Sequence, residues 1–365
     1  MEFSFPISKY QRIVNLALKN FLKKNKKILP SFNNYFVQKQ HQLVHQYSLN
    51  GGKRLRPILS LIAYQATGGR ELKKILPAVL AFEFFHNYTL VHDDIYDEDE
   101  KRRKRIANHV IFKNWFEKKF PNISSETVLY KNPASRFGVV AGIINGKYLY
   151  SLAALAISKA DVSIEKKLAG FKILNDVFIY DNTGQAIDLS FEKNFKVKER
   201  DYYDMVFCKT AKLFQSAIEW GAVLAGANEN QKESLKNYAK EMAIAFQIKD
   251  DLLDIASGGE KGRGIGSDIR KGKKTLLIIH GLKKADAKRK KFILKILGNQ
   301  KALDKDIKKV ISWLREMGSI DFCEKKAKEK IKRAIFCLKK ANPPLKEKYK
   351  KFLEELAFFM LERKK

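Results

Sequence analysis

The chain has 365 residues, 45% hydrophobic and 12% aromatic, with 25 Phe. That length and apolar content bury a large core and exclude a disordered protein. The net charge of +32 would suit a nucleic-acid or anionic-surface binder, yet the lysines are spread from Lys9 to Lys365. No zinc-finger, RNA-recognition or basic-zipper pattern gathers them, so most read as a solvated surface. Nucleic acid is not an expected partner, and at most a weak peripheral membrane contact is.

Only 20 Gly and 8 Pro punctuate the chain, which favours long helices. Residues 10–28 place Tyr10, Ile13, Val14, Ala17 and Phe21 at helical spacing, and 34–48 repeat the pattern with Tyr35, Phe36, Leu43, Val44 and Tyr47. Gly51 and Gly52 break the chain, and Pro57 falls in the first turn of the next helix, which ends at Thr67–Gly69. Pro77 is expected to start a helix running through Leu90 into an acidic cluster. The stretch 113–136, with Pro121 and Pro133, reads as a loop or short-helix insertion. Helices are predicted at 137–160, 164–192, 199–227 and 231–255. A glycine-rich segment from Gly258 to Gly272 follows, then helices at 275–297, 303–317, 319–341 and 346–363. No strand-like alternation and no internal repeat is evident.

The expectation is an all-α protein with one helical domain over residues 1–365. Phe137–Ile157 is the best membrane-span candidate, but Lys147 at its centre favours a buried core helix, so no transmembrane span is expected. Cys208, Cys323 and Cys337 have no paired or metal-type spacing, and no secretory leader is apparent. Reduced thiols in a cytoplasmic protein are the simplest reading.

Two segments carry the chemistry. LVHDDIYDEDEKRR (90–103) and FQIKDDLLDI (246–255) each contain Asp-Asp-x-x-Asp, at Asp93, Asp94 and Asp97, and at Asp250, Asp251 and Asp254. The first and third aspartates are i and i+4, on one helix face. Two carboxylates about 6 Å apart repel by roughly 3 kcal/mol at an effective dielectric near 20. A divalent cation removes that cost, and an all-oxygen site completed by phosphate suits magnesium. A solvated acidic face is the competing reading. Against it, Tyr88, Leu90, Val91 and Ile95 frame the first motif, and Phe246, Ile248, Leu252 and Leu253 the second.

Metal-bound carboxylates imply an anionic ligand, and cations are placed to meet one. Gly51-Gly52-Lys53-Arg54-Leu55-Arg56-Pro57 opens a helix with basic residues three apart. Arg102 and Arg103 follow the first acidic motif. Lys209-Thr210 pairs a cation with a hydroxyl, and Arg263, Lys273 and Lys274 lie in or after the glycine-rich segment.

The strings GGKRLRP, LVHDDIYD with its following RR, GQAIDL, KTAKLF, FQIKDDLLD and GSDIRKGKKTLLIIH together resemble the polyprenyl synthetase family, from about residue 34 onward. The likeness is greatest to archaeal geranylgeranyl diphosphate synthases. It implies a helical bundle of the isoprenoid synthase type, with an apolar cavity between two Asp-rich helices. It implies that Gly52, Lys53, Arg56, His86 and Arg103 hold isopentenyl diphosphate. Arg102, Lys209, Thr210, Gln247, Arg263 and Lys273 would hold the allylic diphosphate (dimethylallyl, geranyl or farnesyl). Asp93, Asp97 and Asp250 would ligate three magnesium ions, with Asp94, Asp188 and Asp254 in or near the coordination shell and Asp251 among the catalytic residues. It further implies a homodimer. Bulky residues just upstream of the first motif floor the product tunnel in that family. Tyr88 lies about 7.5 Å before Asp93 along the helix axis. Thr89 beside it is small, and Phe84 and Phe85 lie a turn deeper. That set points to a twenty-carbon product, with farnesyl or geranylfarnesyl diphosphate as the alternatives.

The sequence departs from the family at Lys104–His109, in the 113–136 insertion, at Lys147 where the family has Asp, and at Arg263 where it has Lys. None of these removes a metal ligand, whereas a noncatalytic regulatory subunit would be expected to lose acidic residues of the two motifs. A terpene cyclase would usually lack the second Asp-rich motif and would not need GGKRLRP. A noncatalytic basic anion- or membrane-binding protein would explain the charge but not two acidic motifs in apolar helices.

Overall fold

Helices make up most of the described residues, and side-chain caps set the start of several of them. The computed structural model describes residues 7–26, 33–102, 105–123, 130–192, 194, 196–256 and 265–362. Arg103, Lys104, Arg263 and the glycines at 258–264, named above, lie outside those residues.

The described residues gather into two compact units. The first takes the described parts of 7–61 and 71–174, the second those of 62–70 and 175–362. In the first unit, α1 (Ile7–Lys24) precedes α2 (Tyr35–Leu49), whose N-cap Asn34 accepts from the amides of Phe36 and Val37. α3 (Leu55–Ala66) opens with Pro57 in its first turn, as predicted. The expected helix start at Pro77 is corrected: α4 (Leu72–Val79) already contains Pro77, and α5 (Ala81–Tyr96) begins two residues past its end. A two-residue antiparallel hairpin, β1 (Lys101–Arg102) with β2 (Arg105–Ile106), follows the acidic motif where no strand was expected. α6 (Asn108–Lys119) occupies the start of the region read as an insertion. α7 (Pro133–Ser158) starts four residues early because Asn132 caps it and Pro133 suits a first turn. α7 packs on α5 and α6, and Phe82, Phe85, Val91, Phe112, Leu149 and Ala153 are fully buried there. Among the described residues α7 alone is long and apolar enough to cross a membrane, and half of its apolar window is buried in the protein.

α8 (Ile164–Phe191) contributes residues to both units, which divide after Leu174. The predicted single helix over 199–227 is instead α9 (Glu199–Val206), a π-helical turn (Phe207–Ala211) and α10 (Lys212–Ala225), closed by left-handed Gly226. α11 (Glu229–Ala256) carries the second acidic motif at its C-terminal end. α12 (Ser267–Lys271) leads to α13 (Leu276–Lys284) and α14 (Ala287–Ile296), which divide the predicted 275–297 helix at Asp286, the N-cap of α14. α15 (Asp304–Glu316), α16 (Ser319–Leu338) and α17 (Glu347–Glu362) complete the unit. α11 packs mainly along α16 and α10, over a core with Phe214, Trp220, Tyr238, Met242 and Phe352.

Candidate active site

Each acidic motif divides the same way. Asp93 on α5 and Asp97, the residue that caps its C-terminus, are partly exposed, while Asp94 between them is fully buried. Asp250 and Asp254 on α11 are partly exposed, and Asp251 is buried. The i, i+4 spacing puts the outer carboxylates on one face, and the middle residue turns about 100° away from its neighbour.

The inward residues are held by side chains. Asp94 accepts from the Arg102 Nε in an ion pair. Asp251 accepts from the Tyr202 hydroxyl at 2.7 Å and from Gln247 Nε2 at 2.9 Å. Burial, then repulsion from Asp268, pushes the Asp251 carboxyl well above the ordinary range despite those two donors. Arg102, assigned from the sequence to the allylic diphosphate, spends its Nε on Asp94. Asp254 serves its own neighbourhood, accepting from the Asp268 amide at 3.0 Å on Oδ2 and from the Gly266 amide at 3.1 Å on its backbone carbonyl.

The basic residues sort into two sets. In the first unit Lys53 is exposed at the start of α3, and Arg56 Nη1 lies 3.2 Å from His86 Nε2 on α5. In the second unit Asp188 of α8 accepts from Lys209 Nζ at 2.7 Å and Lys273 Nζ at 2.8 Å. Burial works to raise the Asp188 carboxyl, but the two ammonium groups override it and hold it below the usual range. Thr210 donates to Gln247 Oε1 at 3.1 Å, so the Thr210–Gln247–Asp251–Tyr202 chain is continuous. Lys274, grouped with Lys273 by sequence, is buried and donates to the carbonyls of Gly272 and Glu192.

Lys209 and Thr210 sit on the π turn, and Gly184 of α8 lets that turn approach. A Cβ on Gly184 would lie 2.8 Å from Lys209 Cα and 2.9 Å from the Cys208 carbonyl carbon, and closer still to the Lys209 amide nitrogen. Asp188, one turn along α8, then meets the Lys209 ammonium.

Upstream of the first motif, Tyr88 is 5% exposed, with Phe85 at 5.3 Å, Tyr150 of α7 at 6.0 Å and His92 at 4.7 Å between ring centroids. Phe84 points elsewhere, pairing with Phe21 of α1 at 5.5 Å. Thr89 donates its hydroxyl to the His86 carbonyl at 2.9 Å.

Among the described residues no three His, Cys, Asp or Glu side chains converge as a closed cage. Two outer carboxylates per helix are an incomplete, hard-oxygen donor set, which fits a magnesium ion that keeps waters and takes phosphate oxygens.

The polyprenyl synthetase family model matches residues 38–314. The chain belongs to the polyprenyl synthetase family. A short chain isoprenyl diphosphate synthase of Methanocaldococcus jannaschii is 36% identical over 314 residues, covering 86% of each chain. The geranylgeranyl diphosphate synthase of Sulfolobus acidocaldarius is 32% identical, covering 93% of this chain and 95% of that one. The crystal structure of geranylgeranyl pyrophosphate synthetase from Pyrococcus horikoshii superposes with a TM-score of 0.81 at 32% identity over 98% of each chain. The family is one of all-helical prenyltransferases, and this synthetase shares both properties.

Sequence reasoning missed Tyr202, Gly184 and Tyr150. Gly184 begins the GQAIDL string and could have been suspected of a close approach. Tyr202 lies two turns before Lys209, a weaker signal. Nothing in the sequence distinguished Tyr150 from the other aromatics.

Proposed function

We propose that this synthetase joins isopentenyl diphosphate head to tail with an allylic diphosphate, giving geranylgeranyl diphosphate. The observation that carries the reading is the shared layout of the two acidic motifs: outer carboxylates partly exposed on one side, middle carboxylate buried and held by side-chain donors. A solvated acidic face would have no reason to bury and clamp its middle residue.

In this reading Lys53, Arg56 and His86 hold isopentenyl diphosphate, and Arg103 joins them. Lys209, Thr210, Gln247 and Lys273 hold the allylic diphosphate, with Arg263 and Arg102 nearby in role. Asp93, Asp97, Asp250 and Asp188 are the residues that would hold up to three magnesium ions. Bound magnesium supplies charge stabilisation to the leaving diphosphate. The allylic C–O bond breaks, and its electron pair leaves with the diphosphate. The isopentenyl double bond forms the new C–C bond, and a proton leaves to the released diphosphate, so no protein nucleophile is needed. The lysines stabilise the leaving charge, and the apolar surroundings of both motifs keep water from the cation. That Lys209 and Lys273 both donate to the Asp188 carboxylate supports their assignment to anionic groups.

Tyr88, backed by Phe85 and Tyr150, would floor the chain tunnel and set the product at twenty carbons. Fifteen or twenty-five carbons are the alternative lengths. A single catalytic domain, a cytoplasmic site of action and a homodimer complete the reading. The dimer is supported by Ile164, Leu168, Ile179 and Leu189, which fall on one face of α8 and are each 62–63% exposed.

The test is a magnesium-dependent incubation with labelled isopentenyl diphosphate and each allylic starter, products sized by chromatography. Asp93→Ala and Asp250→Ala are expected to lose condensation each on its own, because both motifs serve one reaction. Folded wild-type protein that condenses no starter would overturn the reading.

A further inference from the structure

Three basic residues lie between Gly52 and Pro57, and the structure treats one of them differently. Lys53 is exposed and Arg56 half-buried, but Arg54 is buried, with each of its three guanidinium nitrogens making a hydrogen bond. Its Nε donates to Asn15 Oδ1 of α1 at 2.9 Å, its Nη1 to Glu83 Oε1 of α5 at 2.5 Å, and its Nη2 to the Ser48 carbonyl of α2 at 3.0 Å. The Arg54 and Glu83 side chains are 1% and 4% exposed.

The backbone at Arg54 is left-handed, with φ of +53°, after Gly51 at +72° and Gly52 at +121°. Glycine occupies such a conformation without penalty, whereas a side-chain-bearing residue costs about 1–2 kcal/mol. Three consecutive guanidinium hydrogen bonds offset that cost and fix the turn to three helices. Gln11 Nε2 adds a fourth tie, donating to the Gly52 carbonyl at 2.5 Å. On α5, Glu83 precedes His86 by three residues, and His86 is the group beside Arg56. The turn is therefore tied to one helix at two successive points, Arg54 to Glu83 and Arg56 to His86.

A buried ion pair is a poor device for stability alone, since apolar residues of similar volume commonly replace it without loss. What the pair supplies is geometry. We propose that Arg54 and Glu83 are positioning residues for isopentenyl diphosphate: their buried pair holds the Gly51–Arg54 turn in the shape that presents Lys53 and Arg56. This rests on the reading that Lys53, Arg56 and His86 receive that diphosphate.

The test is the double substitution Arg54→Met with Glu83→Leu, which removes both charges together. The folded variant is expected to raise KM for isopentenyl diphosphate about tenfold or more, with the loss concentrated in KM rather than kcat. KM for the allylic diphosphate should stay within about twofold. A folded double variant whose isopentenyl KM is unchanged would overturn the proposal. If that variant does not fold, Glu83→Gln, which keeps shape and one acceptor, carries the same comparison. A several-fold rise in isopentenyl KM supports the clamp and an unchanged value refutes it. Wild-type protein unable to use isopentenyl diphosphate would instead remove the function reading on which the clamp rests, so the two failures are distinct.

Discussion

Gly184→Ala sets two physical effects of opposite sign against each other. On an uncrowded helix the change is stabilising by about 1 kcal/mol, because alanine loses less backbone freedom. Here the new methyl would stand 2.8 Å from Lys209 Cα and 2.9 Å from the Cys208 carbonyl carbon. Those atoms are backbone, so no rotamer change relieves the overlap. Overpacking of this kind costs about 1–3 kcal/mol, and the upper end applies where only the main chain can move. The net expectation is a loss of about 1–2 kcal/mol. At about 2–4 °C per kcal/mol this is a fall in Tm of several degrees. The π turn must also retreat, drawing the Lys209 ammonium from its 2.7 Å contact with Asp188. In the proposed function the Lys209 ammonium also meets the allylic diphosphate, and losing one charge-assisted hydrogen bond to it corresponds to about tenfold or more in affinity. Thermal unfolding by circular dichroism and KM for the allylic diphosphate measure both effects. A higher Tm with unchanged KM would show that the π turn is not packed on Gly184 as described, and the reasoning would fail.

Tyr88→Ala is expected to lengthen the main product by one five-carbon unit, because Phe85 and Tyr150 stand directly behind the removed ring; adding Tyr150→Ala should lengthen it again, and chromatographic sizing decides. Asp251→Asn is expected to change the pH dependence of stability in metal-free protein. The folded-state carboxyl is raised above its unfolded value, so its contribution is fully present below the ordinary aspartate range and is lost as pH rises through the raised value. The variant, with nothing to ionise there, should therefore gain on wild type as pH rises across that interval in urea titrations. A constant difference from acid to neutral pH would contradict the burial argument. Leu168→Glu, on the exposed stripe of α8, is expected to yield monomer in light scattering while leaving the circular dichroism spectrum unchanged; a persistent dimer would move the interface elsewhere.

Most helices were legible because their signals are local. Residues 34–48 carry both their apolar spacing and, at Asn34, their cap, and α8 and α17 match their predicted spans almost residue for residue. The i, i+4 aspartates were equally readable, since their geometry is a property of one helix. What failed locally was Pro77, where a common helix-start residue lies late in α4, and the π turn, whose extra residue leaves no mark on apolar spacing.

Tertiary packing decided which donors meet the middle aspartates: Tyr202 reaches Asp251 from α9, and Arg102 folds back onto Asp94 from the hairpin after α5. It also brought Lys209 and Lys273, 21 and 85 residues along the chain, to one oxygen of Asp188. The left-handed turn at Arg54 belongs with these, because its guanidinium partners come from α1, α2 and α5. A sequence states which groups carry charge and how one helix arrays them. Which charges are neutralised by a distant partner, and which are left for substrate, depends on contacts formed only when the helices pack.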